Sequence, residues 1–191
     1  MSPQSQTKRQ PVPWRIIESE VIADLQFARI RRDLLEHPVD DRRYPYTFLQ
    51  SPVDAVATVA LTGQNHVLLT RQYRHPVGRV IYDLPAGRIE PGESPEAAAA
   101  RELEEETGYR ANKWRKLAFF NQFPGSMQVG THLFLAQDLS PGKQMLEPFE
   151  DVEVTGMPFA EALSLVMNGD VIDGSLMLGL LLCAQLGVVQ Q

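Results

Sequence analysis

Cysteine is nearly absent: Cys183 stands alone in 191 residues, which excludes an internal disulfide and is the usage expected of a reducing cytoplasm. It sits in the apolar stretch Leu180-Leu181-Leu182-Cys183, where burial is the ordinary expectation. A basic excess is missing too. Lys and Arg number 18 against 24 Asp and Glu, a formal charge of -6, so macromolecular nucleic acid is a poor partner. A small nucleotide stays compatible, because a local cation site recruits phosphate despite a negative surface. Long hydrophobic runs are also lacking. The longest, Leu176 to Val189, is interrupted by Gly179, Gln185 and Gly187 and is too short to cross a bilayer; it predicts a buried helix and no membrane partner. Residues 1–13 are polar and contain prolines, without the apolar centre of a secretory signal.

A hydrophobic share of 43% over 191 residues supports one good core rather than two ordinary domains. The pattern divides into an N-terminal extension, 1–52, and a main domain, 53–191. In the extension, Trp14–Ile22, Gln26–Leu35 and Tyr44–Leu49 predict two or three strands around the charged turn Asp40-Asp41-Arg42-Arg43. Beyond it, Ala55–Leu61 and His66–Arg71 flank Gly63-Gln64-Asn65 as a hairpin, and Val80–Leu84 predicts another strand. Lys116–Gln122, Thr131–Ala136 and Val152–Met157 read as further strands, and Phe159–Met167 and Ser175–Leu186 as closing helices. Strands, a marked helix, more strands and a helical end argue for an α/β (α+β) sandwich, helices packed on a mixed sheet.

The marked helix starts at Ser94, an N-cap oxygen followed by Pro95, and stops at Gly108. Its last turns carry Arg101, Glu102, Glu104, Glu105 and Glu106. At roughly 100° per residue, Glu102, Glu105 and Glu106 share one face with Ala98. Like charges at that spacing cost about 0.2–0.5 kcal/mol per pair, and acids near a helix C-terminus oppose its dipole. A solvated acidic face is the bland explanation of such a run. A hard divalent cation is the alternative that turns convergent carboxylates from a liability into ligands.

The surroundings decide between these. Gly87, Glu93, Arg101, Glu102, Leu103, Glu105, Glu106, Gly108 and Tyr109 are similar to the Nudix signature Gly-x5-Glu-x7-Arg-Glu-U-x-Glu-Glu-x-Gly-U, with Tyr109 departing from the usual aliphatic U. The seven exact identities would arise by composition in roughly one chain in a million. Tyr82-Asp83-Leu84-Pro85-Ala86-Gly87, the strand end Arg71-Gln72-Tyr73-Arg74, and Pro124, 16 residues after Gly108, resemble ADP-ribose pyrophosphatases and related nucleoside diphosphate sugar hydrolases. The likeness covers about Val53 to Leu186.

The resemblance implies an α/β/α sandwich of the Nudix type with an N-terminal strand extension that forms homodimers. It implies Mg2+, with Mn2+ as a substitute, held by Glu102 and Glu106 with Glu105 close by and the Ala86 carbonyl completing the cage. Arg101 would hold the glutamates. Glu93 would serve structure beside the helix start. Arg71, Arg74, Pro124 and Gly125 would meet a small nucleotide diphosphate, guanidinium matching phosphate in a fork. Exposed strand-end arginines are the bland alternative for Arg71 and Arg74. Trp14 or Phe27 would stack on a base or pack in a core, and His132 reads as a packed strand residue before a catalytic one.

One departure concerns the base. In the resembled enzymes the loop after the proline generally carries an acid; here Pro124-Gly125-Ser126-Met127-Gln128-Val129-Gly130 has none. Glu105, or an acid from Glu147, Glu150, Asp151 and Glu153, is left for that role. The expected reaction is hydrolysis of ADP-ribose or a related nucleotide sugar to a nucleoside monophosphate and a sugar phosphate. Coenzyme A, a dinucleotide or a nucleoside triphosphate are rival substrates, although Leu84-Pro85-Ala86-Gly87 differs from the Phe-Pro-Gly-Gly of coenzyme A enzymes and Pro124 from the tyrosine of diadenosine enzymes. A noncatalytic nucleotide-sensing domain is the rival of another class, disfavoured by the intact carboxylates.

Overall fold

The computed structural model describes residues 11–25 and 27–189, so Gln26 and the polar segment 1–10 lie outside the described residues. The chain divides into two compact units, Met1–Pro52 with Phe123–Gln128, and Val53–Gln122 with Val129–Gln191.

The first unit holds β1 (Arg15–Asp24), β2 (Arg29–Glu36), β3 (Arg43–Gln50) and the two-residue β9 (Met127–Gln128), hydrogen-bonded in the order β1-β2-β3-β9. The first three run antiparallel and β9 lies parallel to β3. Charge fixes the register here. Arg15 faces Glu36, Glu20 faces Arg32 and Asp24 faces Arg29, each as an ion pair, and such cross-strand pairs contribute about 0.2–1 kcal/mol each. The apolar residues between them are left at the surface, Ile16 at 62% exposure and Val21 at 50%.

The second unit runs β4 (Ala55–Leu61), β5 (His66–Arg74), a short 3-10 turn (His75–Val77), β6 (Arg79–Asp83), β7 (Ala86–Arg88), α1 (Pro95–Thr107), β8 (Tyr109–Phe120), β10 (Thr131–Pro141), β11 (Glu153–Pro158), α2 (Phe159–Asn168) and α3 (Gly174–Gln185). Its sheet has the order β11-β5-β4-β10-β8, with β6 on β5 and β7 on β4. β10 is parallel to β4 and the other pairings are antiparallel, which makes the sheet mixed.

The central strand β4 explains the layering. Its side chains alternate between faces, and both faces are buried: Ala57, Val59 and Leu61 pack with Leu176, Leu180 and Cys183 of α3, whereas Val56 and Ala60 join the clusters of Ala98, Ala99 and Leu103 of α1. A strand covered on two sides reads as a continuous apolar run, which Ala55–Leu61 is. α1 therefore forms one layer, and α3, with α2 beside it, the other. α3 comes close to the sheet at Gly179, where an added Cβ would lie 2.6 Å from Val59 Cγ2.

Three readings need correction. The strand expected over Lys116–Gln122 begins at Tyr109, and the one expected over Thr131–Ala136 runs on to Pro141; β8 lies at the sheet edge, and its polar outer residues weaken the apolar signal. β7 and β9 are too short to show any period. Ala98, expected on the face shared by the acids, is fully buried against the sheet. Among the described residues no helix is long and apolar enough to cross a membrane.

Candidate active site

α1 is built to end where the acids are. Ser94 Oγ accepts from Ala97 N at 3.2 Å, Pro95 opens the helix, and Gly108 closes it at φ 74°, its N–H donating to Glu104 O at 2.8 Å. That left-handed closure favours glycine, since other residues adopt it at a steric cost.

Arg101 gathers the carboxylates around itself. Its Nε and Nη2 donate to the two oxygens of Glu93 at 3.1 and 3.0 Å, Nη1 donates to Glu102 at 2.8 Å and Glu105 at 2.9 Å, and Nη2 also donates to Arg88 O at 2.9 Å. A guanidinium has five N–H donors, and these contacts use all of them. The hydrogen bond to Glu93 raises the Arg101 pKa most, and holds the Glu93 carboxyl below the usual carboxylate range. The acidic face is thus neutralised in part by an arginine, and a cation is not the sole reason it is tolerated.

Glu106 is the acid that this clamp leaves out. It is 4% exposed and accepts from Ala86 N at 2.9 Å. Burial pushes its carboxyl up to about 8; the Ala86 N–H pulls it down, the charges of Glu102 and Glu150 push it further, and the field of Arg74 offsets this least. Burial raises Glu102 as well, against the pull of Arg101 and with the push of Glu105 and Glu150. Glu150, from the loop between β10 and β11, adds its charge to the push on both carboxylates. Glu153 is paired with Arg71.

The residues fit a hard divalent cation on two observations. Glu106 is a desolvated carboxylate whose charged form needs a counterion, and the Glu102 carboxyl lies where a Cβ on Gly87 would have to sit. That cradle explains why β7 needs glycine at 87. Among the described residues no three His, Cys, Asp or Glu side chains already converge on one point to hold an ion, consistent with Glu102 and Glu105 being drawn to Arg101.

A cavity of about 240 Å³ opens beside the carboxylates, lined by Ala57, Arg74, Asp83, Ala86, Gly87 and Ser175 among others. Arg74 Nε donates to Asp83 Oδ2 at 2.6 Å. Burial raises the Asp83 carboxyl, Arg74 lowers it and Asp173 raises it again. Of the substrate-contact candidates, Arg74 lines this cavity; Arg71 instead donates to Glu153 Oε2 at 2.9 Å across the β5–β11 pairing. Pro124 and Gly125 belong to the first unit, where the Gly125 carbonyl accepts from the Tyr46 hydroxyl. His132 lies within β10, its ring 4.7 Å from Phe119 and its Nε2 3.6 Å from Asp54. Asp83 was invisible as a site residue in the sequence, because nothing local says that an aspartate at a strand end will orient an arginine nine positions earlier.

A buried carboxylate beside a second one, a glycine cradle and an arginine clamp at these spacings coincide with the match of the NUDIX domain family to residues 51–175. The chain belongs to the NUDIX family. Among its relatives, the ADP-ribose pyrophosphatase of Bacillus subtilis (strain 168) is 38% identical over 145 residues, 75% of this chain and 70% of that protein. The methanol dehydrogenase activator of Bacillus methanolicus is 36% identical over 121 residues, 62% of this chain and 65% of that protein, a little under two thirds of its length. A solved structure described as an ADP compounds hydrolase superposes with a TM-score of 0.84 at 24% identity, covering 94% of this chain and 97% of that one. At that identity the likeness speaks for the fold, an α/β/α NUDIX sandwich.

Proposed function

We propose that this NUDIX chain hydrolyses the diphosphate bond of ADP-ribose or a related nucleoside diphosphate sugar, releasing a nucleoside monophosphate and a sugar phosphate. The observation that carries the reading is the desolvated Glu106 beside Glu102, a pair whose charges call for a cation and, through it, a polyanionic substrate. The 38% identity to an ADP-ribose pyrophosphatase supports the substrate class.

Glu102, Glu105, Glu106 and the Ala86 carbonyl are the oxygens that would hold Mg2+, or Mn2+ in its place. Such an ion supplies charge neutralisation and Lewis acidity at the diphosphate. Arg101 keeps Glu102 and Glu105 in place. Arg74, oriented by Asp83, offers its remaining guanidinium edge to phosphate oxygens at the cavity. Glu150 takes the proton of the attacking water as the water oxygen bonds to phosphorus and the bridging P–O bond breaks; Glu105 is the alternative, and each keeps one carboxylate oxygen outside its hydrogen bond, to Glu147 N for Glu150 and to Arg101 for Glu105. Pro124, Gly125 and Arg71 remain candidates for substrate contact. Residues 1–52 serve as a homodimerisation element and 53–191 as the hydrolase domain, a division supported by the exposed apolar residues of β1. The buried Cys183 thiol, pushed up to about 11 by burial, suits a cytoplasmic setting.

Phosphate-coupled turnover of a nucleotide-sugar panel, with Mg2+ and with chelator, tests the proposal. We expect turnover of ADP-ribose or another ADP-sugar that chelator abolishes. Tight binding without turnover across the panel would favour a sensor, and preferential cleavage of coenzyme A or a triphosphate would replace the substrate class.

A further inference from the structure

The start of the loop between β10 and β11 is fastened to the end of α1. Gly142 N donates to Gly108 O at 2.7 Å and Met145 N to Glu105 O at 2.9 Å, while Gln144 Nε2 donates to Glu106 O at 2.8 Å. These bonds satisfy carbonyls that the end of an α-helix leaves without intrahelical partners. The acceptors of Met145 and Gln144 are main-chain oxygens of Glu105 and Glu106, two of the carboxylate residues themselves. Gly108 keeps the approach open, since a Cβ there would lie 3.2 Å from Gln144 N. Beyond Met145 the loop makes a tight turn in which Glu150 N donates to Glu147 O and Glu147 N to Glu150 Oε2, both at 2.9 Å. Glu150 follows Gln144 by six residues, a span of at most about 20 Å, so the anchor restricts where its carboxylate travels.

We infer that Gln144 is a positioning residue for Glu150: its side-chain bond to the Glu106 carbonyl ties the loop that carries the proton acceptor to the helix that carries the metal-binding carboxylates. The main-chain bonds of Gly142 and Met145 do not depend on side-chain identity, whereas the Gln144 bond does. The inference rests on the proposed role of Glu150, which lies six residues past Gln144 in a turn that its own carboxylate closes by accepting from Glu147 N.

A double-mutant cycle in the full chain separates the two ideas. Gln144→Met keeps length and loses the donor; it should lower kcat about three- to tenfold, the range of one hydrogen bond, with KM for ADP-ribose and the Mn2+ titration affinity unchanged. Gln144→Lys, which keeps a donor, should recover most of the rate. Amide exchange should quicken over 145–150 in Gln144→Met and stay unchanged along α1. In the Glu150→Gln background, Gln144→Met should add no further loss. A loss of the same factor in that background, or unchanged exchange in the loop, overturns the positioning role. Wild-type kcat in Glu150→Gln alone instead removes Glu150 as the acceptor, and the inference with it.

Discussion

Arg101 and Glu106 divide the electrostatic problem of the site between them. Every N–H of Arg101 is spent on Glu93, Glu102, Glu105 and the Arg88 carbonyl, so Glu106 keeps its burial cost. We expect Glu106→Gln to lower kcat by orders of magnitude in a folded protein, because the ligand charge goes and the shape stays; circular dichroism and steady-state rates measure both. The same carboxyl makes metal-free stability fall with pH. Below about 4.5 Glu106 is protonated in both states; between there and about 8 the unfolded chain releases the proton that the folded chain keeps, and above about 8 the loss levels off. A tenfold difference in proton affinity between the two states is worth about 1.4 kcal/mol, so the drop amounts to a few kcal/mol, and the raised Glu102, Asp83 and Asp173 act in the same direction. Urea melts at pH 5.5 and pH 8 in chelator should show it, and Mg2+ should restore more stability at pH 8. A metal-free protein more stable at pH 8 than at pH 5.5 would contradict the burial of Glu106.

At the scale of elements, the helix carrying the acids was the most legible part of the sequence. Ser94, Pro95 and Gly108 mark its ends by local chemistry, and the 3.6-residue period places Glu102, Glu105 and Glu106 together. What the period could not tell was which acid would be buried, since that depends on β4 and β7 arriving from elsewhere in the chain. Arg74 meeting Asp83 and Gln144 meeting Glu106 are likewise tertiary facts without a local signal. Short β7 and β9 owe their pairing to their neighbours, β4 and β3, rather than to any propensity of their own. Packing distances give a sharper prediction for α3. Gly179→Ala forces a methyl to within 2.6 Å of Val59 Cγ2 and 3.3 Å of Leu84 Cδ1, and such overpacking costs about 1–3 kcal/mol. Alanine normally favours a helix over glycine by about 1 kcal/mol, so a stabilised Gly179→Ala in chemical denaturation would show that the contact relaxes freely.

For the whole molecule, the first unit exposes Ile16, Val21, Leu25 and Phe27 on or beside a sheet whose register is held by ion pairs. A homodimer through this extension predicts twice the chain mass in light scattering at micromolar concentration, and Val21→Glu should shift the population toward monomer with the second unit still folded. A wild-type monomer under those conditions removes the dimer. In the second unit, the segment holding Ala86 and Gly87 is laced to the central strand: Thr58 N donates to Pro85 O at 2.9 Å, and Ala86 and Gly87 register with Ala57 and Val56. The floor of the candidate cleft is therefore continuous with the innermost strand of the sheet, and cannot soften ahead of it. On warming, loss of turnover and loss of the sheet should follow a single curve, with no window in which an inactive yet intact fold accumulates.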